Sequence, residues 1–577
     1  MRRLTDRLHT LTGRPSWTQD GQAVLCRLVP EGRGEEPIAA RVPGGPNVQV
    51  TDGTKSPLRT YQDLLANEHD ADTWEFYATS ELVILSLDGG EPQALGKGIF
   101  SSASLSHDGE WLMTTRIERP YSFLMPYYLF PQRVEVALVT APGAAVLAWD
   151  IPAAEGVPIG GVRTGARSFQ WAASQPATLY WAEALDGGDP KAEVEHRDRW
   201  LVASAPFTTS DDGEPSGEEF VRLEYRASGL TFFDDPALVA TGEYDRDRRW
   251  RRTLLHEIGS AGEALVLEDR SSNDRYGDPG TLVMHNGARG ARVVRQDGDW
   301  VYRTGRGASA QGDLPFLRRH NLRTQASEEI WRCSPDAYES VVAMMPGGPA
   351  EKPVFVTQHE TKISPPNYFL NGDERVALTS FDDPQPKLRG ITKQRVTYER
   401  EDGIPLSATL YLPADYEEGT RLPMLVWGYP REYNDPRTAG QISGSTNRFT
   451  RLAGTSHLFL VTQGYAVLDG ATMPIIGDAE TMNDTFVTQL VGSAQAAIDV
   501  AVEMGVADRD RVGVAGHSYG AFMTAHLLAH TDLFAGGIAR SGAYNRTLTP
   551  FGFQGEQRNF WQAQETYMEI SPFTHAG

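Results

Sequence analysis

Cysteine is nearly absent. The 577 residues hold only Cys26 and Cys333, far apart in the chain, which excludes a disulfide framework and offers no spacing for zinc or dithiol chemistry. Buried thiols are the expected state of both. Basic residues are in deficit as well: Lys and Arg number 54 against 76 Asp and Glu, a formal net charge of −22. No basic stripe breaks this imbalance, so a nucleic-acid partner, whose phosphates such a surface repels, is excluded. No apolar run approaches the roughly 18 residues that cross a bilayer. The opening Met1-Arg2-Arg3-Leu4-Thr5-Asp6 also lacks the apolar stretch of a signal peptide. The expectation is a soluble, cytoplasmic chain with no membrane contact, no metal and no cofactor.

What is present is the composition of a folded protein, 40% hydrophobic and 23% charged. Its length implies two or more domains. Over residues 1–385 the apolar residues come in short bursts, such as Trp74-Glu75-Phe76-Tyr77 and Glu81-Leu82-Val83-Ile84-Leu85. Turns at Asp20-Gly21, Asp88-Gly89, Asp108-Gly109, Asp186-Gly187 and Asp297-Gly298 separate them. This is strand-and-hairpin grammar with no long amphipathic helix, and it predicts an all-β N-terminal domain, a β-propeller. Over 386–577 strands and helices alternate after a hairpin from Arg395-Val396-Thr397-Tyr398 to Ala408-Thr409-Leu410-Tyr411, which predicts an α/β-hydrolase domain. Met424-Leu425-Val426-Trp427 and Tyr465-Ala466-Val467-Leu468 read as buried strands. From Asp484, the expected N-cap, apolar residues at Val487, Leu490, Val491, Ala494, Ala497, Ile498 and Val502 keep helical spacing as far as Gly505.

The chemistry is concentrated at Gly516-His517-Ser518-Tyr519-Gly520. Arg511-Val512-Gly513-Val514-Ala515 before it reads as a strand, and Ala521 to Leu528 after it as a helix. A G-x-S-x-G between a strand and a helix is a nucleophile elbow, in which a sharp turn exposes the Ser518 hydroxyl to a base that can take its proton. An acyl-transfer site also needs donors for the oxyanion. The backbone N–H of Tyr519 is one. The loop Trp427-Gly428-Tyr429-Pro430-Arg431-Glu432-Tyr433 is expected to offer the second through the Tyr429 phenol. In this fold the triad runs Ser, then Asp or Glu, then His, on later strand ends. After Ser518 the only Asp is Asp532, at the end of the elbow helix, and Glu556, Glu565 and Glu569 precede any further β-α unit. His526 and His530 fall on or just past the same helix, and His575 stands near Gly577. None suits the role of acid or base, so both are expected to be absent from the chain.

The stretch from Gly516 to His575 resembles the glutamyl endopeptidase branch of the prolyl oligopeptidase family, through Ile538-Ala539-Arg540-Ser541-Gly542-Ala543-Tyr544-Asn545-Arg546 and the following Thr547 to Gln554. Arg119-Pro120-Tyr121-Ser122-Phe123, Leu179-Tyr180-Trp181-Ala182-Glu183 and Pro474-Ile475-Ile476-Gly477 carry the resemblance across nearly the whole chain. It implies a propeller capping a hydrolase domain and cleavage of peptides or unfolded polypeptides after glutamate. Ser518 would be the nucleophile and Tyr429 an oxyanion donor. It also implies a pattern that begins before Met1 and continues past Gly577 to the acid and base, so that the chain is expected to be truncated at both ends. Selection of a glutamate side chain needs a local cation, ideally an arginine with two parallel donors. Arg431 and Arg546 are the substrate-binding expectations. Two alternatives stand beside this: an esterase or acylaminoacyl peptidase using the same elbow, and an inactive fragment that only binds peptides.

Overall fold

The structure, a computed structural model, describes residues 3–40, 60–260, 262–288, 290–346 and 352–577. Its first part is a succession of antiparallel meanders. Four-stranded sheets run from Ser16–Trp17 to Gln93–Gly98, from Phe100–Leu105 to Ala145–Ile151, from Ala166–Trp171 to Glu218–Leu223, and from Arg226–Phe232 to Leu265–Ser271. A five-stranded sheet over Thr281–Leu282 to Ser327–Arg332 follows, then a four-stranded one from Tyr338–Met344 to Arg375–Ala377. Each meander is the unit of a propeller blade. Alternate residues fill the spaces against the sheets: Trp181 and Trp200, from neighbouring strands, are both fully buried.

One helix breaks the expected all-β texture. Trp74 to Tyr77 are not a strand but lie in the helix Glu68–Ala78. The Asn67 side chain accepts the Asp70 N–H, and Glu68 and Asp70 place negative charge at the positive end of the helix. Trp74 is thereby turned edge-on to Tyr121, with ring centroids 4.9 Å apart. Glu81 to Leu85 do form a strand, within Ser80–Ser86.

The α/β part is one six-stranded sheet. Its strands are β1 (Thr392–Glu399), β2 (Pro405–Leu412), β3 (Leu422–Tyr433), β4 (Ala466–Ile476), β5 (Ala507–His517) and β6 (Gly536–Arg540). They are ordered β1-β2-β4-β3-β5-β6. The first two pairings, β1 with β2 and β2 with β4, are antiparallel, and the rest are parallel. Helices α1 (Phe486–Glu503) and α2 (Tyr519–His530) cover one face. Central strands buried on both faces read as continuous apolar runs, as Met424-Leu425-Val426 does.

Asp484 does not cap α1. A 3₁₀ turn, Met482–Thr485, precedes the helix and Thr485 takes the cap position. Asp484 instead accepts Arg558 Nη2 at 2.7 Å and Thr566 Oγ1 at 2.5 Å, a stronger arrangement for a carboxylate than one backbone N–H. The helix ends at Glu503, two residues before Gly505, whose φ of +75° is a left-handed stop. The span Met482–Glu503 is long and apolar enough to cross a membrane by length and composition, which corrects the expectation that no stretch qualifies. Leu490, Ala494, Ala497 and Ile498 nevertheless belong to the core under the sheet.

By contacts the chain forms two compact units. One comprises Met1–Arg246, Arg252–Leu267 and Met284–Arg295; the other comprises Asp247–Arg251, Glu268–Val283 and Gln296–Gly577. The elbow and the residues around it belong to the second.

Candidate active site

Strand β5 ends at His517 and α2 begins at Tyr519, so Ser518 alone makes the turn. Its φ of +57° with ψ of −115° is a strained conformation for a residue with a side chain, of the kind that persists only where surrounding structure fixes it. Three hydrogen bonds do so here. Ser518 N donates to Arg540 O on the neighbouring β6 at 2.9 Å, and Ser518 O accepts Ala521 N at 3.0 Å and Phe522 N at 3.1 Å. The flanking glycines are required by space. A Cβ on Gly516 would lie 2.3 Å from the Gly520 carbonyl carbon, and one on Gly520 would lie 2.6 Å from Gly428 O. The result is an exposed serine at the tip of the elbow. As first residue of α2, Tyr519 has a backbone N–H with no intrahelical acceptor, available at the positive helix end.

The close approach of Gly428 O to Gly520 brings the end of β3 beside the elbow. The segment Trp427 to Tyr433 is not a loop, as the sequence led us to expect. It is the second half of β3, paired in parallel with β4 from Gly428↔Ala471 to Tyr433↔Ile476 after a register shift between Trp427 and Gly428. Pairing satisfies its backbone, and period-two alternation leaves Tyr429 and Arg431 exposed while Gly428 and Pro430 are buried. The Tyr429 ring stands edge-on to Tyr519 at 6.0 Å, with its phenol end free to reach solvent. Tyr519 is itself buried and stacked on Phe522 at 5.5 Å. Burial, reinforced by the nearby Glu432 carboxylate, pushes its phenol well above the ordinary tyrosine range, so it stays neutral.

The two arginines differ sharply. Arg431 is exposed on β3, and its side chain makes no hydrogen bond or ion pair among the described residues. Arg546 is 6% exposed, its guanidinium lying 4.2 Å from the Phe522 ring and 4.6 Å from the Phe553 ring. Its backbone N–H donates to Ser571 Oγ at 2.9 Å. Its buried Nε finds no hydrogen-bond partner, and no carboxylate pairs with the guanidinium among the described residues. Burial lowers the pKa of Arg546, against the pull of Tyr519 and Tyr567.

The histidines after the elbow do not meet Ser518. His526 is fully buried, with Nε2 against Ile570 O at 3.1 Å, and burial, then His530, lowers its pKa to about 3. His530 and His575 continue the row, with ring centroids 4.4 Å apart. Asp532 is exposed just beyond α2. Glu556 is buried against Arg558, while Glu565 lies in the short helix Gln564–Glu569. The structure also adds residues that the sequence did not single out. Phe522 and Phe553 form the walls around Arg546, and Glu432 approaches the Tyr519 hydroxyl at 3.5 Å. Only the position of Glu432, three residues after Tyr429, could have signalled it.

The profile of the prolyl oligopeptidase family matches residues 489–577. The chain is 40% identical to a probable chloroplastic glutamyl endopeptidase of Oryza sativa subsp. japonica, over 97% of this chain and 61% of that one. It is also 40% identical to one from Arabidopsis thaliana, over 96% and 60%. It therefore spans about three fifths of the length of these curated relatives. Among solved structures, uncomplexed acylaminoacyl peptidase from Pyrococcus horikoshii aligns with a TM-score of 0.52 at 12% identity, over 98% of this chain and 76% of that one. At such identity the likeness is one of fold: an N-terminal β-propeller followed by an α/β-hydrolase domain.

Proposed function

Since the chain belongs to the prolyl oligopeptidase family, we propose that the protein is a serine peptidase that cleaves peptides or unfolded polypeptides after glutamate, through an acyl-enzyme on Ser518. On this reading the propeller occupies 1–385 and the peptidase domain 386–577. The Ser518 hydroxyl attacks the scissile carbonyl carbon while its proton passes to a base. The carbonyl oxygen, now anionic, takes hydrogen bonds from Tyr519 N–H and the Tyr429 phenol, donors that strengthen as charge develops. Collapse expels the amine, and water then releases the acid product. Among the described residues none hydrogen-bonds the Ser518 side chain, so none of them is assigned as that base.

The observation that carries the glutamate preference is the buried guanidinium of Arg546, which has no carboxylate partner among the described residues and is walled by Phe522 of the elbow helix. An uncompensated buried cation is costly, and a substrate carboxylate would offset that cost by two parallel hydrogen bonds. The relatives that share 40% identity, named as probable glutamyl endopeptidases, support the same reading. Arg431, exposed in water, is the weaker choice of cation. The test is steady-state kinetics on peptides matched except for Glu or Gln at P1. Arg546→Met is expected to lower kcat/KM for the Glu peptide by about 100-fold, in line with the loss of a buried charge partner, and to leave the Gln peptide nearly unchanged. Arg431→Ala should change neither by more than about threefold, as for an exposed charge. Equal losses for both peptides in Arg546→Met would refute the assignment.

A further inference from the structure

A carboxylate stands where an acid-selecting site should not have one. Glu432, near the end of β3, is almost fully buried, and its Oε1 lies 3.5 Å from the hydroxyl of Tyr519, the residue next to the nucleophile. Both Glu432 and Arg546 act electrostatically on that phenol, from opposite signs. Left as a bare anion, Glu432 would repel an incoming glutamate and offset the attraction of Arg546.

It is not left bare. Arg249 Nη2 donates to Glu432 Oε2 at 2.9 Å, and Arg249 Nε donates to Asn434 Oδ1 at 3.0 Å, so one guanidinium grips two residues of the same strand end. Arg249 belongs to Asp247–Arg251, within the same compact unit as the elbow. Three features fix the grip. Arg249 is held at φ +52°, a left-handed conformation that a side-chain-bearing residue keeps only under constraint. Asp247 O accepts the Asn434 amide, and Asp247 Oδ1 accepts Gln557 Nε2 at 3.0 Å. On the other side, a Cβ on Gly555 would come within 2.3 Å of Glu432 Oε2, so the carboxylate sits in a space only glycine leaves open.

We propose that Arg249 is a positioning residue for P1 selection: by pairing with Glu432 it cancels the anion beside Tyr519 and leaves Arg546 as the net charge met by the substrate side chain. This rests on the glutamate reading above and adds to it the element that sets the sign of the pocket. A tether with a purely structural role would alter stability or overall binding, but would not change the discrimination between an acid and its amide.

The experiment measures binding, by fluorescence anisotropy, of labelled peptides with Glu or Gln at the cleavage position to full-length protein carrying Ser518→Ala. Added Arg249→Met is expected to reduce the Glu-over-Gln affinity ratio by about 10-fold or more. Glu432→Gln in the same background should restore it to within about threefold, because it removes the exposed anion. Arg249→Lys, which keeps the charge without the fork, serves if Arg249→Met does not fold, and should hold the ratio within about threefold of the parent. An unchanged ratio in Arg249→Met, a double variant that is not restored, or an Arg249→Lys ratio as low as that of a neutral side chain would overturn the proposal. Arg546→Met separates the two levels. If it abolishes the ratio while Arg249→Met does not, only the role of Arg249 fails; if it has no effect, or the parent shows no preference, the glutamate reading fails and this inference with it.

Discussion

Ser518 keeps its strained backbone because every neighbour that could relax it is occupied. Neither Gly516 nor Gly520 has room for a Cβ, the first against Gly520 across the turn and the second against Gly428 O, so the elbow fits closely between its own helix and β3. Gly520→Ala is therefore expected to lower stability by about 1–3 kcal/mol, the usual cost of forcing atoms into a filled space. It should also displace Tyr429 relative to Tyr519, since the same contact sets that distance. Urea unfolding and crystallography of the variant would check this, and an unchanged midpoint with Tyr429 in place would contradict it. Arg546 carries the opposite logic. It is a buried cation with no carboxylate partner among the described residues, held between the Phe522 and Phe553 rings, an arrangement that costs stability unless, as proposed, a ligand supplies the missing charge.

At the scale of elements, the elbow was legible in the sequence because all its determinants are local. Apolar Val512 to Ala515, the glycine pair and the helix-forming Ala521 to Leu528 follow one another without a break. The hairpin Thr392–Glu399 with Pro405–Leu412 was legible for the same reason. What failed depended on distant partners or on one capping side chain. Trp74 to Tyr77 fit either a strand or a helix, and the Asn67 cap decided for the helix. Trp427 to Tyr433 lengthen β3 because β4 runs beside them as far as Ile476, which no local pattern announces. Arg249 and Glu432 are 183 positions apart, so their pairing was beyond any reading of spacing. Helix α2 makes its own prediction. Its His526 has a pKa lowered to about 3 by burial and by His530, against roughly 6.5 in an unfolded chain. The unfolded state thus binds the proton first, so stability is fully present above about pH 6.5 and falls as pH drops toward 3, by up to about 5 kcal/mol from this residue. In His526→Phe the urea midpoint should be flatter between pH 6.5 and 4 than in the parent; parallel curves would show that the imidazole is not the cause.

For the whole molecule, a net charge of −22 sets a long-range field against acidic substrates, while counterions screen it beyond roughly 8 Å at physiological salt. On the proposed reading, a preference for glutamate is built within that distance, by Arg546 and by the neutralisation of Glu432, and not by the surface at large. The most direct measurement of the central claim is labelling of the full-length protein by a fluorophosphonate, with the modified residue located by peptide mass mapping and the rate followed in the presence of competing peptides. The account predicts modification of Ser518, slowed by a peptide with Glu at P1 and far less by its Gln counterpart. Labelling at another residue, or equal protection by the two peptides, would contradict it.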